Sequence, residues 1–270
     1  LNREYLETTL KATPDDARCQ FYLRIFETVS STNQTLWELI ALGAKPGTIV
    51  IASQQTSGQG QWGRQWISPV GGLYLSMAIA PQLPVENGFG LTLATAWGIA
   101  SQFRKYGIPV GIKWPNDLVL NNRKLGGILT QTKVQTGKIT QAVVGVGINW
   151  ANPVPETGIN LASWQAENFF TGIASLEMLA VITVQGIYSG QERFMREGVN
   201  DLLPAYLELL TNIGQKLTIN NVSGIVTGVT PNGELRVRHQ KPTQINSQTT
   251  PEEIYLPPGT ISLGYNKSSD

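Results

Sequence analysis

The segment from residue 111 to 149 constrains this chain more than any other. It reads as three largely apolar, β-branched runs, 111–120, 125–134 and 139–149, separated by the short stretches 121–124 and 135–138, with Asn121-Asn122 and Thr136-Gly137 as the turns. Connections that short can only reverse a strand, because parallel neighbours need a crossover of a dozen residues or more. These runs are therefore expected to pair antiparallel. Upstream, residues 48–53 (TIVIAS) and 73–80 (LYLSMAIA) read as buried strands. A helix is predicted over 33–42, where Ser31-Thr32-Asn33-Gln34 has capping-box spacing and Gly43 supplies a stop. A second is predicted over 90–106, with Leu91, Ala94, Trp97 and Phe103 ahead of Gly107, and residues 175–212 return to a helical pattern whose stretch from Leu176 to Met195 reads as core. The expectation is an α+β fold, an α/β arrangement on a mixed sheet.

From Gly214 the texture changes to short strands, LTINNV, GIVTGV, ELRVRH and EEIYLP, with Asn232-Gly233 as a hairpin turn. This predicts a separate all-β module, a small barrel. The expected division is an N-terminal extension over 1–20, a main domain over 21–213 and the β-module over 214–270.

Charge narrows the function. Asp, Glu, Lys and Arg make up only 14 % of the 270 residues, against about 25 % in an ordinary globular protein. With 20 basic residues balanced by 19 acidic ones, there is no global excess with which to grip nucleic-acid phosphates. The single cysteine, Cys19, excludes an internal disulfide and a multi-cysteine zinc site, and points to a reducing, cytoplasmic setting. No membrane association is expected, since no apolar run reaches the ~18–20 residues of a span and the N-terminus lacks a signal-peptide pattern.

Three segments could carry chemistry. In Ser57-Gly58-Gln59-Gly60-Gln61-Trp62-Gly63-Arg64-Gln65-Trp66, three glycines in six residues allow positive φ and could form a nest of N–H groups for an anion; a plain glycine-rich surface loop is the bland alternative. In Lys113-Trp114-Pro115-Asn116-Asp117, followed by Arg123-Lys124-Leu125-Gly126-Gly127, opposite charges gather at a proline corner and return across a hairpin. That is either a site or an ion pair at a strand end. In Val144-Gly145-Val146-Gly147-Ile148-Asn149, glycines within an apolar strand imply that something passes close to the backbone, either a ligand or a packed element.

In this order, the segments resemble biotin protein ligases, also called biotin–acetyl-CoA-carboxylase ligases. The matching residues are Ser31-Thr32-Asn33, Gln55 with the glycine-rich loop through Trp66, KWPNDL at 113–118, RKLGGIL at 123–129 and GVGIN at 145–149. The resemblance implies a class II aminoacyl-tRNA-synthetase-like catalytic domain followed by an SH3-like barrel. It implies an ATP-dependent, AMP-forming reaction with Mg²⁺: biotin becomes biotinyl-5′-AMP, and the lysine of a biotin carboxyl carrier domain, as in acetyl-CoA carboxylase, then accepts biotin. By position, Ser31, Thr32, Asn33, Gln55, Gly58, Gln59, Gln61, Gly126 and Gly127 would bind biotin. Trp66, Asn116, Gly147 and Asn149 would bind ATP or the adenylate. Lys124, Lys113, Asp117 and Arg64 would be catalytic, and Asn116 with Asp117 would be metal ligands.

Two departures qualify the resemblance. Family members mostly carry G-R-G-R-x-G-R in the loop, whereas the first two arginines are here Gln59 and Gln61 and only Arg64 remains. Arginine's fixed charge and planar fork are replaced by neutral amides. Bifunctional members also carry a helix-turn-helix ahead of the catalytic domain. Only about 30 residues precede Ser31, so a monofunctional ligase without DNA binding is expected. A lipoate or octanoate ligase of the same fold and a non-catalytic biotin-binding regulator are the rival readings, and either a monomer or a homodimer fits. His239, in a basic cluster with Arg236, Arg238 and Lys241, reads as a solvated strand-end residue.

Overall fold

Both short connections reverse the chain as their residues predict. Asn121, Asn122, Thr136 and Gly137 all take positive φ, the requirement of the two-residue turns whose twist matches paired strands. The computed structural model describes residues 1–11, 20–219, 222–239, 253–261 and 263–265, so Cys19 and Lys241 lie outside the described residues. Its elements are α1 (Arg3–Lys11), β1 (Tyr22–Val29), α2 (Thr32–Ala41), β2 (Thr48–Gln55), β3 (Leu73–Ile79), the two-residue β4 (Leu83–Pro84), α3 (Phe89–Lys105), β5 (Gly111–Lys113), β6 (Asp117–Leu120), β7 (Arg123–Gln135) and β8 (Lys138–Ile148). There follow α4 (Leu161–Glu167), α5 (Leu176–Glu197), α6 (Val199–Leu209), β9 (Lys216–Ile219), β10 (Val222–Val229), β11 (Leu235–His239) and β12 (Glu253–Leu256).

The main sheet is mixed, in the order β1-β2-β3-β8-β7-β6-β5 with β4 pairing β8. Only β1 and β2 run parallel; every other pair is antiparallel. Alternate residues of each strand face opposite sides. Ile49, Ile51, Leu73, Leu75 and Met77 join the core with α3 and α5. These two helices cross where a Cβ on Gly98 would strike the Gly186 carbonyl and one on Gly190 the Ala94 carbonyl, so glycine sets their spacing. On the other face Leu36, Val50, Ala78 and Val143 form a separate cluster beneath α2. Burying a side chain such as Leu36 is worth about 1.5–3 kcal/mol. At 10 residues α2 cannot cover the whole face, and the uncovered part becomes the floor of a cleft.

Three expectations need correction. The run 111–120 is not one strand: it breaks into β5 and β6 around a cis Trp114-Pro115 bond. Ser31 does not cap α2 with its side chain; the free N–H of Thr32 is instead taken by Gln55 Oε1 at 2.8 Å. Residues 1–11 are not a bare extension, since α1 packs on α5 with Leu6 and Leu10 buried.

The C-terminal strands form a four-stranded antiparallel sheet ordered β12-β11-β10-β9. Its basic cluster is paired within the sheet at the surface: Arg236 Nη2 lies 2.8 Å and Arg238 Nη2 4.0 Å from Glu253. His239 is half-buried rather than solvated, with Nδ1 sealed from solvent. This sheet is tied to the main domain, where the Trp114 indole donates to Gly233 O of the β10–β11 turn at 2.8 Å.

Candidate active site

Sheet register gathers motifs that are far apart in sequence. Lys113 pairs with Asp117, Asp117 with Gly127, Gly127 with Gly147 and Gly147 with Tyr74. Residues directly opposed in an antiparallel ladder share a face, so one row crosses five strands on the α2 side of the sheet. A neighbouring row runs from Leu129 through Gly145 to Ser76. Simple alternation would send Lys124, three residues before Gly127, to the opposite face. A bulge in β7 prevents this: Leu118 pairs with Gly126 but Val119 pairs with Lys124, which leaves Leu125 unmatched and restores Lys124 to the cleft side. The Lys124 backbone is then pinned, donating to Thr157 O and accepting from Ile159 N, each at 2.9 Å.

One end of the cleft is charged. Lys124 Nζ lies 2.6 Å from Asp117 Oδ1, while the Tyr265 hydroxyl donates to Asp117 Oδ2 at 2.5 Å. Lys113 Nζ donates to Gly264 O at 2.6 Å and sits 3.3 Å above the Tyr265 ring. Burial pulls Lys113 down to a pKa of about 8; Asp117 acts against the shift and the second cation, Lys124, adds to it. Two cations thus face one carboxylate, and the surplus positive charge suits an anion.

The other end is neutral and amide-rich. Gln55 Oε1 accepts from both the N–H and the hydroxyl of Thr32, and Gln55 Nε2 donates to Ser68 Oγ at 2.8 Å. Ser76 donates to Asn33 Oδ1 at 2.6 Å and lies 2.7 Å from Thr32 Oγ1. Gln131 Oε1 accepts from Asn33 Nδ2 and Trp37 Nε1, and Gln131 Nε2 reaches Gln59 Oε1 at 3.4 Å. Glycine in β8 makes this possible, because a Cβ on Gly145 would overlap the Asn33 carboxamide.

Between the ends lies the loop after β2. It folds back on itself, Gly60 N donating to Arg64 O at 2.7 Å and Trp66 N to Gly58 O at 2.9 Å. Of the three glycines expected to allow positive φ, Gly63 takes it and Gly58 and Gly60 do not, while Trp62 does. Trp66 lies across Gly147, where a Cβ would come within 2.5 Å of its Nε1. Among the described residues Trp66 Nε1 and Gln61 Oε1, both buried, find no partner, a cost of about 1–3 kcal/mol each that a ligand could relieve.

Ser31, Thr32, Asn33, Gln55, Gln59, Gln61, Arg64, Trp66, Lys113, Asn116, Asp117, Lys124, Gly127 and Gly147 all line this cleft. Gly58, Gly126 and Asn149 do not. A Cβ on Gly58 would strike Trp66 O, and one on Gly126 would crowd Gly147 O, so both glycines serve chain packing. Asn149 Nδ2 donates to Lys124 O at 3.3 Å and its Oδ1 accepts from Asn152 at 3.0 Å, which makes it a brace behind Lys124. Sequence reasoning missed Gln131, which bonds Asn33 and Gln59 behind the cleft lining, and the described C-terminal residues of the wall, Ile261, Leu263, Gly264 and Tyr265. Nothing in their residue types marks them, for the tail reads only as the end of a β-module.

The donor set suits no resident metal. Asp117 has a cation on one oxygen and a phenol on the other, Asn116 could add only its single amide oxygen, and among the described residues no group of three His, Cys, Asp or Glu converges. Divalent cations such as Mg²⁺ require several oxygen ligands.

Fold and cleft together define a class: a mixed-sheet ligase-type catalytic domain with an appended β-module. The biotin/lipoate A/B protein ligase family matches residues 25–149. The bifunctional ligase/repressor BirA of Escherichia coli is 34 % identical over 217 residues, 78 % of this chain and 67 % of that protein. The biotin–[acetyl-CoA-carboxylase] ligase of Paracoccus denitrificans is 31 % identical over 134 residues, 47 % of this chain and 54 % of its own. A structure of the biotin protein ligase from Aquifex aeolicus in complex with biotin and ATP shares the fold, with TM-score 0.64 and 22 % identity over 86 % of this chain and 94 % of that one. The chain belongs to the biotin/lipoate A/B protein ligase family and is a ligase homologous to the biotin protein ligases. No described helix is long and apolar enough to cross a membrane.

Proposed function

We propose that this protein is a biotin protein ligase, joining biotin to ATP as biotinyl-5′-AMP and passing it to a lysine of a biotin carboxyl carrier domain. The observation that carries the reading is the adjacency of a neutral amide-lined end and a doubly cationic end along one sheet face. Biotin has this polarity: a uncharged ureido ring that both donates and accepts hydrogen bonds, an apolar arm and a carboxylate. Ser31, Thr32, Asn33 and Gln55 would supply matching donors and acceptors at the amide-rich end, where the first three are buried. The carboxylate would then meet the nucleotide's α-phosphate beside Lys124.

Two anions must approach within bonding distance in the first step, and fixed positive charge lowers that barrier most where it is already in place. Lys124 and Lys113 provide it, and Asp117 fixes the Lys124 ammonium rather than acting on substrate. Gly127 has no side chain to obstruct the reacting atoms: a Cβ would sit about 3.5 Å from both Asp117 Oδ1 and Trp66. Attack by the carboxylate oxygen on the α-phosphorus expels pyrophosphate; attack by the carrier's neutral ε-amine on the acyl carbon expels AMP. Mg²⁺ would arrive with ATP, as part of the substrate.

The same fold family includes lipoate ligases, but a lipoyl or octanoyl chain carries no polar head that could exchange hydrogen bonds with the amide cluster, whereas a ureido ring does. Pyrophosphate release on mixing the protein with ATP and Mg²⁺ tests the reading, with biotin, lipoate or octanoate as the acid. Release with biotin alone is expected. Release with lipoate or octanoate in preference, or binding of biotin with no release, would replace it with one of the rival readings.

A further inference from the structure

The C-terminal tail enters the charged end of the cleft and touches both members of the Lys113–Asp117 pair. Residues 257–261 first turn against the loop after β2, where a Cβ on Gly259 would come within 2.5 Å of Trp62 Nε1. Ile261 and Leu263 then line the cleft, Gly264 presents its carbonyl to Lys113, and Tyr265 lies under the same ammonium. Asp117 would otherwise have one oxygen free, able to swing or to draw an incoming cation away from Lys124.

We propose that Tyr265 is a positioning residue for adenylate formation: its hydroxyl locks the second oxygen of Asp117 while its ring seats Lys113, so both lysines are fixed before the nucleotide's phosphates arrive. Burial and the neighbouring Asp117 hold the phenol protonated far above its ordinary range, so it can serve that oxygen only as a donor. Lys124 uses the other oxygen, and the carboxylate is held from both sides. The cation–ring contact costs Lys113 little of its charge, because a π-face attracts an ammonium without neutralising it. Lys113 can therefore turn from Gly264 O toward a phosphate while remaining seated. The inference rests on the ligase reading above and deepens it, since it makes the β-module part of the catalytic centre.

The test is a double-mutant cycle on biotin-dependent pyrophosphate release by the full chain, using Tyr265→Phe, Asp117→Asn and both together. Phenylalanine keeps the ring over Lys113 and removes only the hydroxyl. The expected results are a fall of about ten-fold or more in kcat for Tyr265→Phe, a KM for biotin unchanged within two-fold, and no further loss when Tyr265→Phe is added to Asp117→Asn. Tyr255→Phe, on an exposed strand of the same module, should match wild type. A wild-type rate in Tyr265→Phe, or losses that multiply in the double variant, overturns the proposal while leaving the ligase reading intact. Absence of biotin-dependent release from the wild type itself sinks the ligase reading and this role with it.

Discussion

The two ends of the cleft solve opposite problems with the same sheet. At the amide-rich end nearly every polar atom already has a protein partner, Gln55 alone spanning Thr32 and Ser68. A ligand there must exchange good hydrogen bonds for better-placed ones, so selectivity comes from geometry. At the charged end two lysines share one carboxylate and the imbalance persists until an anion arrives. Affinity there is electrostatic and sensitive to pH and salt. On the proposed function this is a division of labour: one end would select the acid and the other would drive its activation.

The harshest way to break that division is Lys124→Ala. Loss of a cation that stabilises developing charge should lower adenylate formation by about 10²–10³-fold, while biotin binding measured by calorimetry without ATP changes little. If biotin affinity falls in parallel, the two ends are a single unit. The β8 glycines offer a paired test. Gly147→Val should push Trp66 off the strand and raise the KM for ATP, whereas Gly145→Val should displace Asn33 and raise the KM for biotin. Each should also cost about 1–3 kcal/mol of stability by overpacking, read from chemical denaturation. Matching effects on both substrates from either variant would erase the distinction.

These glycines also show what was legible from residue types. A glycine inside a strand announces that something lies against the backbone, and here the occupants are Asn33 and Trp66. The short turns announced antiparallel pairing, and KWPND with KLGGIL announced the charged end. The bulge at Leu125 did not show, because one unmatched residue leaves the hydrophobic pattern of β7 almost unchanged. Nor did the Gln55 cap of α2, since a long-range side-chain bond overrode the local Ser31–Gln34 signal. Tyr265 was invisible for a stronger reason: it belongs to an element that pattern reading separates from the catalytic domain, and only tertiary docking joins them.

A milder way to sharpen the comparison is pH. Lys113 titrates near 8 in the folded chain against 10.5 ordinarily. Below pH 8 it is protonated in both folded and unfolded states. Between about 8 and 10.5 the unfolded chain holds more protons, so this group makes stability rise with pH across that window. Its effect on the nucleotide runs the other way, because the charge that attracts phosphate is lost above pH 8. The KM for ATP should therefore climb above pH 8 while the KM for biotin stays flat, a contrast visible in initial rates. A KM for biotin that rose in step would mean the neutral end depends on Lys113.

The smallest effect expected lies where the two ends meet. Gln61 occupies a loop position at which the resembling family mostly places arginine, and its buried Oε1 finds no partner among the described residues. A carboxamide can bond an adenylate but adds no charge, so on the proposed function retention of the intermediate would rest more on backbone donors and Lys124. Gln61→Arg moves positive charge toward the neutral side and should slow biotinyl-5′-AMP dissociation several-fold, measured by chasing pre-formed adenylate with excess unlabelled biotin and ATP. Such a result would show that the boundary between the ends is set by loop charge. An unchanged or faster off-rate would instead place it in the sheet, at Gly127 and Gly147, where no loop substitution can move it.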